Sequence, residues 1–192
     1  MARAIDAIET HQPGSRTYRV MTAVAYYAGL RPSEVVMLRR RALRVDDRAW
    51  GYLDVTEADI SFDVPGEPKT GARIVPIPPV LVDILCTWIE ENEIKDPDQL
   101  LFRTQTGRRP SSANWSRAWK RALALVGERP LRIYDCRHAC ATTWLRAGVP
   151  LGETARRLGH SVDTLVSVYV GALDGDEQLA NDRIEAVLAL DG

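Results

Sequence analysis

With 192 residues and a formal net charge of −1, the chain suits one domain with a real core, and 45% hydrophobic with 27% charged residues is ordinary globular composition. No apolar run approaches the ~20 residues of a membrane span and the N-terminus lacks a signal-peptide layout, which predicts a soluble, cytoplasmic chain. Cys86, Cys136 and Cys140 argue against a disulfide scaffold, and Cys136 and Cys140 with His138 between them fall short of a four-ligand metal site, so they read as small buried hydrophobes.

The charge balance does not announce a nucleic-acid partner either. Only Lys69, Lys95 and Lys120 among the 25 basic residues are lysines, a bias that bidentate phosphate binding and genomic base composition explain equally well.

Residues 1–12 read as a short helix with Ile5 and Ile8 on one face, ended by Pro13-Gly14. A second helix is expected over about 15–28, with Val20, Ala23, Val24 and Tyr27 at helical spacing and Gly29 as its C-cap. Arg31 occupies the tight connection, and Pro32 opens a third helix, PSEVVMLRR, burying Val35, Val36 and Leu38. From Val45 the character changes: WGYLDV, ADISFDV and RIVPIP carry the alternating β-branched and aromatic residues of strands. The turn-rich PGEPKTGA between the last two places Lys69 near a hairpin tip.

Helical periodicity returns over 80–92 (Leu81, Ile84, Leu85, Trp88, Ile89), then come a loop at Asp96-Pro97 and a short LLF strand. Ser111-Ser112 cap a helix through Trp115, Trp119 and Leu123. Three short helices follow, over about 135–147, 152–158 and 164–172. The tail, 174–192, holds an amphipathic helix with Leu179, Ile184, Val187 and Leu188 on its apolar side. The expected fold is α+β, mostly helical, a single domain over 1–192 with a small three-stranded antiparallel sheet inserted early.

Reactive side chains concentrate in LRIYDCRHACATTWLRAGVPLGETARRLGHSVDTLVSVYVGAL, residues 131–173. Arg137 and His138 enter an apolar helix, His160 follows Leu158-Gly159 at a helix end, and Tyr169 lies nine residues on. Upstream, Arg31 precedes a helix N-terminus, where backbone N–H groups already favour an anion, and Glu34 is placed to hold its guanidinium.

Singly, each has an ordinary use: a surface ion pair, a cap, a core aromatic, a solvent-facing lysine. Together they supply two guanidiniums, an ammonium, an imidazole and a phenol. Two arginines can clamp the non-bridging oxygens of a phosphate, a lysine or imidazole can protonate a leaving oxygen, and a phenol crowded by cations can attack.

These motifs, AGLRPSE, PKTGARIVPIP, YDCRHACATTWLRAGV, RRLGHS and LVSVYVGALDG, resemble in order and spacing the catalytic domain of the tyrosine recombinases, the phage-integrase family. The resemblance runs from about Met21 to Leu188. It implies that Arg31 and Arg137 are the two catalytic arginines, Lys69 the hairpin lysine, His160 the histidine of the Leu-Gly-His motif and Tyr169 the nucleophile. Glu34 and His138 match supporting positions. The family usually has histidine three residues before the second arginine, where this chain has Tyr134, a poor base at neutral pH. The Tyr169 proton is then left to His160 or to solvent.

The resemblance further implies a C-shaped fold clasping duplex DNA. Cleavage leaves a 3′-phosphotyrosine and a free 5′-hydroxyl, with neither ATP, metal nor other cofactor, and strands are exchanged within a homo-tetramer on DNA. A monomer is expected in isolation, and DNA-bending or directionality proteins are possible accessories. Residues 1–14 are expected to be the remnant of a linker or first helix, the core-binding and arm-binding domains being absent, and the C-terminal helix docks on its own or a neighbouring protomer. The rival functions are a catalytically decayed DNA-binding protein of this fold, and a type IB topoisomerase.

Overall fold

The computed structural model describes residues 1–8, 15–45, 50–61, 64–104, 106–173 and 177–189, without the side chains of 170–173, 177–180, 183 and 187. The first helix, α1, is Ala2–Ala7. Ile5 and Ile8 are buried as their spacing predicts, while the rest of the expected 1–12 helix lies outside the described residues. Helix α2 spans Ser15–Tyr27 and buries Val20, Ala23 and Val24. It ends at Gly29, whose positive φ of 65° suits glycine.

The third helix is shorter than expected. Helix α3 is only Pro32–Val35. Val35, Val36, Met37 and Leu38 are all buried, and four successive residues cannot share one face of a helix, so the chain leaves helical geometry and threads the core in irregular form. A single 3-10 turn, Arg40–Ala42, follows. The expected LLF strand is reduced to one bridge, Leu100 to Arg39.

The main sheet has three antiparallel strands, but one is not the strand expected. Strands β1 (Leu43–Val45), β2 (Gly51–Val55) and β5 (Arg73–Ile77) pair in that order, with Leu53 opposite both Leu43 and Val75. Gly51, Leu53 and Val55 alternate inward with Val75 and Ile77, and Pro76 is tolerated because β5 is an edge. The described residues of the run ADISFDV instead enter a separate ribbon, β3 (Ala58–Ser61) against β4 (Val64–Gly66). Ile60 and Val64 stay exposed, so no apolar burial recruits the run into the sheet.

Lys69 therefore sits in a turn between strands of two different sheets rather than at the tip of a paired hairpin. Gly71 N–H donates to the Pro68 carbonyl across it, at 2.8 Å.

Helices α4 (Pro79–Glu91) and α5 (Ser112–Leu125) complete the main core with Leu81, Leu85, Trp115 and Trp119. Trp88 and Trp115 find acceptors in the Leu101 carbonyl and the Thr22 hydroxyl, both at 2.8 Å. Helices α6 (Ile133–Arg146), α7 (Leu151–Leu158) and α8 (Val162–Leu173) then build a second small core of Ala141, Leu145, Ala155, Leu158, Leu165 and Tyr169. The last helix, α9, is Glu177–Leu188. Ile184 and Leu188 on it are exposed, and the side chains of Leu179 and Val187 lie outside the description. Among the described residues no helix is long and apolar enough to cross a membrane.

Candidate active site

Arg31 is the N-cap of α3, held extended before Pro32. Glu34 closes the cap: one carboxylate oxygen accepts the Arg31 backbone N–H at 2.8 Å, the other the guanidinium at 2.9 Å. The guanidinium also donates to the Thr70 hydroxyl at 3.1 Å and the Gly159 carbonyl at 2.8 Å. Three contacts fix the guanidinium, the one to Thr70 exposed and the other two partly buried.

Glu34 itself is 1% exposed, and Arg73 grips it with two bonds of 2.9 and 2.7 Å. Burial pushes the Glu34 carboxyl up, but the Arg73 bonds and charge and then Arg31 outweigh that, leaving it below the ordinary carboxylate value.

Arg137 is the most enclosed of the cations, with no exposed surface. Its Nη1 donates to the Gly29 carbonyl at 2.6 Å, its Nη2 to the Leu158 carbonyl and to His160 Nε2 at 2.9 Å. Burial, then the Arg31 charge, lowers its pKa to about 10, so it remains charged at neutral pH.

The Leu158-Gly159-His160 turn is thus where the two ends of the domain meet. Leu158 O holds Arg137, Gly159 O holds Arg31, and the His160 ring receives Arg137. Gly159 must be glycine: its φ is 62°, and a Cβ there would stand 2.5 Å from the Thr70 hydroxyl oxygen.

Since guanidinium only donates, His160 Nε2 accepts and its proton is on Nδ1, assigned from the hydrogen-bond network. Burial, then Arg137 and Arg31, lowers its pKa to about 4. His160 is neutral at pH 7. Its Nδ1 and Arg137 Nε are buried with no hydrogen-bond partner among the described residues.

Tyr169, on α8, is 4% exposed, and its hydroxyl lies 2.7 Å from His138 Nδ1. Burial raises the phenol to about 12, partly opposed by Arg137. Tyr134 meets the His138 ring edge-on, with centroids 5.1 Å apart. Lys69 is exposed, and no hydrogen bond or ion pair to it is recorded among the described residues. Arg31, Glu34, Arg137 and His160 therefore come together, Tyr169 is bonded to His138 and lies near enough for the Arg137 charge to act on its phenol, and Lys69 stays outside.

Arg73 and Thr70 also hold the site, though no sequence motif marks them for it. Both lie in or beside PKTGAR, so closeness to Lys69 was the only available signal. The cysteines have no part in the site: burial holds the Cys136 and Cys140 thiols up, and among the described residues no three His, Cys, Asp or Glu side chains could hold a metal.

Cations gathered at the end of α7 beside a buried phenol suit a phosphate ester, and the fold that gathers them is the catalytic fold of the tyrosine recombinases. The chain belongs to the phage integrase family, whose model matches residues 1–175. It is 29% identical over 140 residues to excisase C of a Nostoc strain, covering 69% of this chain and 26% of that protein. It is 26% identical to the tyrosine recombinase XerC of Yersinia pestis, over 85% of this chain and 50% of XerC. The chain thus spans half or less of these relatives' length.

Among solved structures, the Tn1549 transposon integrase in complex with circular intermediate DNA superposes with a TM-score of 0.73 at 17% identity, covering 96% of this chain and 64% of that one. XerA recombinase superposes at 0.67 with 20% identity, covering 96% and 61%.

Proposed function

We propose that the chain is the catalytic part of a site-specific DNA recombinase that cleaves and rejoins strands through Tyr169. Arg31 and Arg137 bind the non-bridging oxygens of the scissile phosphate. The Tyr169 oxygen bonds to phosphorus as the P–O5′ bond breaks, leaving a 3′-phosphotyrosine and a 5′ oxygen that takes a proton from Lys69. The reverse attack by a 5′-hydroxyl rejoins a strand without added energy, because the phosphotyrosine retains that of the broken ester.

One observation carries this reading: two arginines from opposite ends of the domain and a neutral imidazole are anchored on three successive residues, 158–160. Removing one such donor in comparable sites costs about 10²–10³ in rate. The two unpaired buried donors, Arg137 Nε and His160 Nδ1, support an anion as the missing partner. Lined by none of these residues, a separate groove of about 1110 Å³ carries Arg16, Arg103, Arg117 and Arg121 with Glu91, a net positive lining that suits a polyanion such as duplex DNA. By resemblance, the working assembly is a homo-tetramer on DNA in the cytoplasm, with accessory DNA-bending or directionality proteins.

The test is incubation with nicked suicide duplexes of randomised sequence. Wild type and Tyr134→Phe should form a detergent-resistant DNA adduct, and Tyr169→Phe none. An adduct in Tyr169→Phe overturns the assignment of the nucleophile. No adduct in wild type favours a DNA-binding protein of this fold over an enzyme.

A further inference from the structure

The imidazole nearest the nucleophile is not the one in the Leu-Gly-His motif. His138 Nδ1 is 2.7 Å from the Tyr169 hydroxyl, with ring centroids 5.6 Å apart and planes inclined by 50°. His138 is the one hydrogen-bond partner of that hydroxyl among the described residues; with the phenol as donor, Nδ1 accepts and the ring proton is assigned to Nε2. His160 is arranged the other way round. Its Nε2 lone pair is taken by Arg137 and its Nδ1 bears the proton, so it can receive another only by giving up the Arg137 bond.

The groups facing His138 come from three elements. Tyr134, Asp135 and Arg137 share α6 with it, Arg132 caps that helix, Tyr169 is on α8, and His160 follows α7. Asp135 is committed to Arg132, whose backbone N–H and guanidinium it accepts at 2.7 and 3.0 Å. Burial lowers the His138 pKa below its ordinary 6.5, with Arg137 and Arg132 adding to this and Asp135 opposing it. The ring is neutral, with its lone pair on the nucleophile. Tyr134 stands four residues earlier on the same helix face, so the imidazole that position lacks is present one turn on.

Resting on the recombinase reading, we propose that His138 is the general base of strand cleavage, taking the Tyr169 proton. As the Tyr169 oxygen bonds to phosphorus and P–O5′ breaks, the O–H proton passes to His138 Nδ1, forming imidazolium, and O5′ takes a proton from the Lys69 ammonium. On rejoining, the imidazolium returns its proton to the phenolate and Lys69 recovers its own from the attacking 5′-hydroxyl. A phenol near 12 does not hand its proton outright to an imidazole below 6.5, so the transfer accompanies formation of the O–P bond.

The test compares wild type with His138→Asn and His138→Ala on the randomised nicked duplexes between pH 5 and 9. Asparagine places an amide oxygen near the Nδ1 position, so it keeps an acceptor for Tyr169 but removes the base. Adduct formation in both variants should fall about 10²-fold at pH 7, and the acidic limb of the wild-type pH profile should vanish. A His138→Asn rate within about threefold of wild type overturns the proposal and leaves a positioning contact. Faster adduct formation in either variant also overturns it, because the contact would then restrain the nucleophile.

Wild-type adduct with an unaffected His138→Asn sinks only the base, whereas no wild-type adduct sinks the recombinase reading as well. Independently of turnover, the His138 pKa measured by NMR should rise in Tyr169→Phe, since a donor to the neutral ring is lost. An unchanged value overturns the contact itself.

Discussion

Arg73 and Glu34 meet through two parallel N–H···O bonds of 2.9 and 2.7 Å, with side-chain exposures of 5% and 1%. The same carboxylate also holds Arg31, so one buried charge aligns strand β5 with the arginine that starts α3. Glu34→Gln keeps the shape and removes the charge, leaving two partly buried guanidiniums without a counterion. The expected loss is about 3–5 kcal/mol, read from urea unfolding. A loss below about 1 kcal/mol would show that water replaces the carboxylate there.

His160 makes stability depend on pH. Its folded pKa is about 4, while an unfolded histidine titrates near ~6.5. Between those values the unfolded chain binds more protons, so this contribution is complete above ~6.5 and is lost as pH falls toward 4. His138, also lowered, acts in the same direction. His160→Asn should flatten the fall in melting temperature between pH 7 and 4 without abolishing it. An equally steep fall in the variant would remove His160 from the account.

Inorganic phosphate offers a second check on the same ring. An anion beside Arg31, Arg137 and His160 favours the charged imidazole, so saturating phosphate should raise the His160 pKa, followed by NMR. A pKa indifferent to phosphate would mean that the anion binds elsewhere.

Gly159→Ala should destabilise by about 1–3 kcal/mol, since alanine at positive φ is strained. The added carbon also meets Thr70 Oγ1 at 2.5 Å and Arg73 Cδ at 3.3 Å. Thr70→Ala in the same chain should relieve the clash but not the backbone cost. Full recovery of the melting temperature in the double variant would show that sterics alone select glycine.

Lys69→Ala separates chemistry from folding. The side chain is exposed, so its removal should leave the melting temperature unchanged while slowing strand cleavage by about 10²-fold if it protonates O5′. An unaltered cleavage rate would remove it from the reaction.

The helices and the motif residues were legible because their signals are local. The 3.6-residue spacing marks α2, α4 and α5, Ser111 announces α5, and Gly29 and Gly159 mark helix ends. The third helix misled because a buried apolar run reads alike whether it coils or threads a core. The strand ADISFDV misled because alternation does not reveal which partner a strand will take, and its exposed apolar residues have no sheet face to join. Arg73 was hidden because it pairs with Glu34 across 39 residues, and nothing near it in the chain reports a buried carboxylate.

By itself, the sequence determined which side chains are available: two arginines, a lysine, a histidine and a tyrosine in the order of one family. The pairings were decided only by the tertiary structure. Leu158 and Gly159 receive Arg137 and Arg31, Arg137 occupies the His160 lone pair, and His138 Nδ1 is the imidazole nitrogen set against the Tyr169 hydroxyl. Partners are assigned by contact across 21 to 128 residues, and that assignment, not residue type, decides which imidazole faces the phenol.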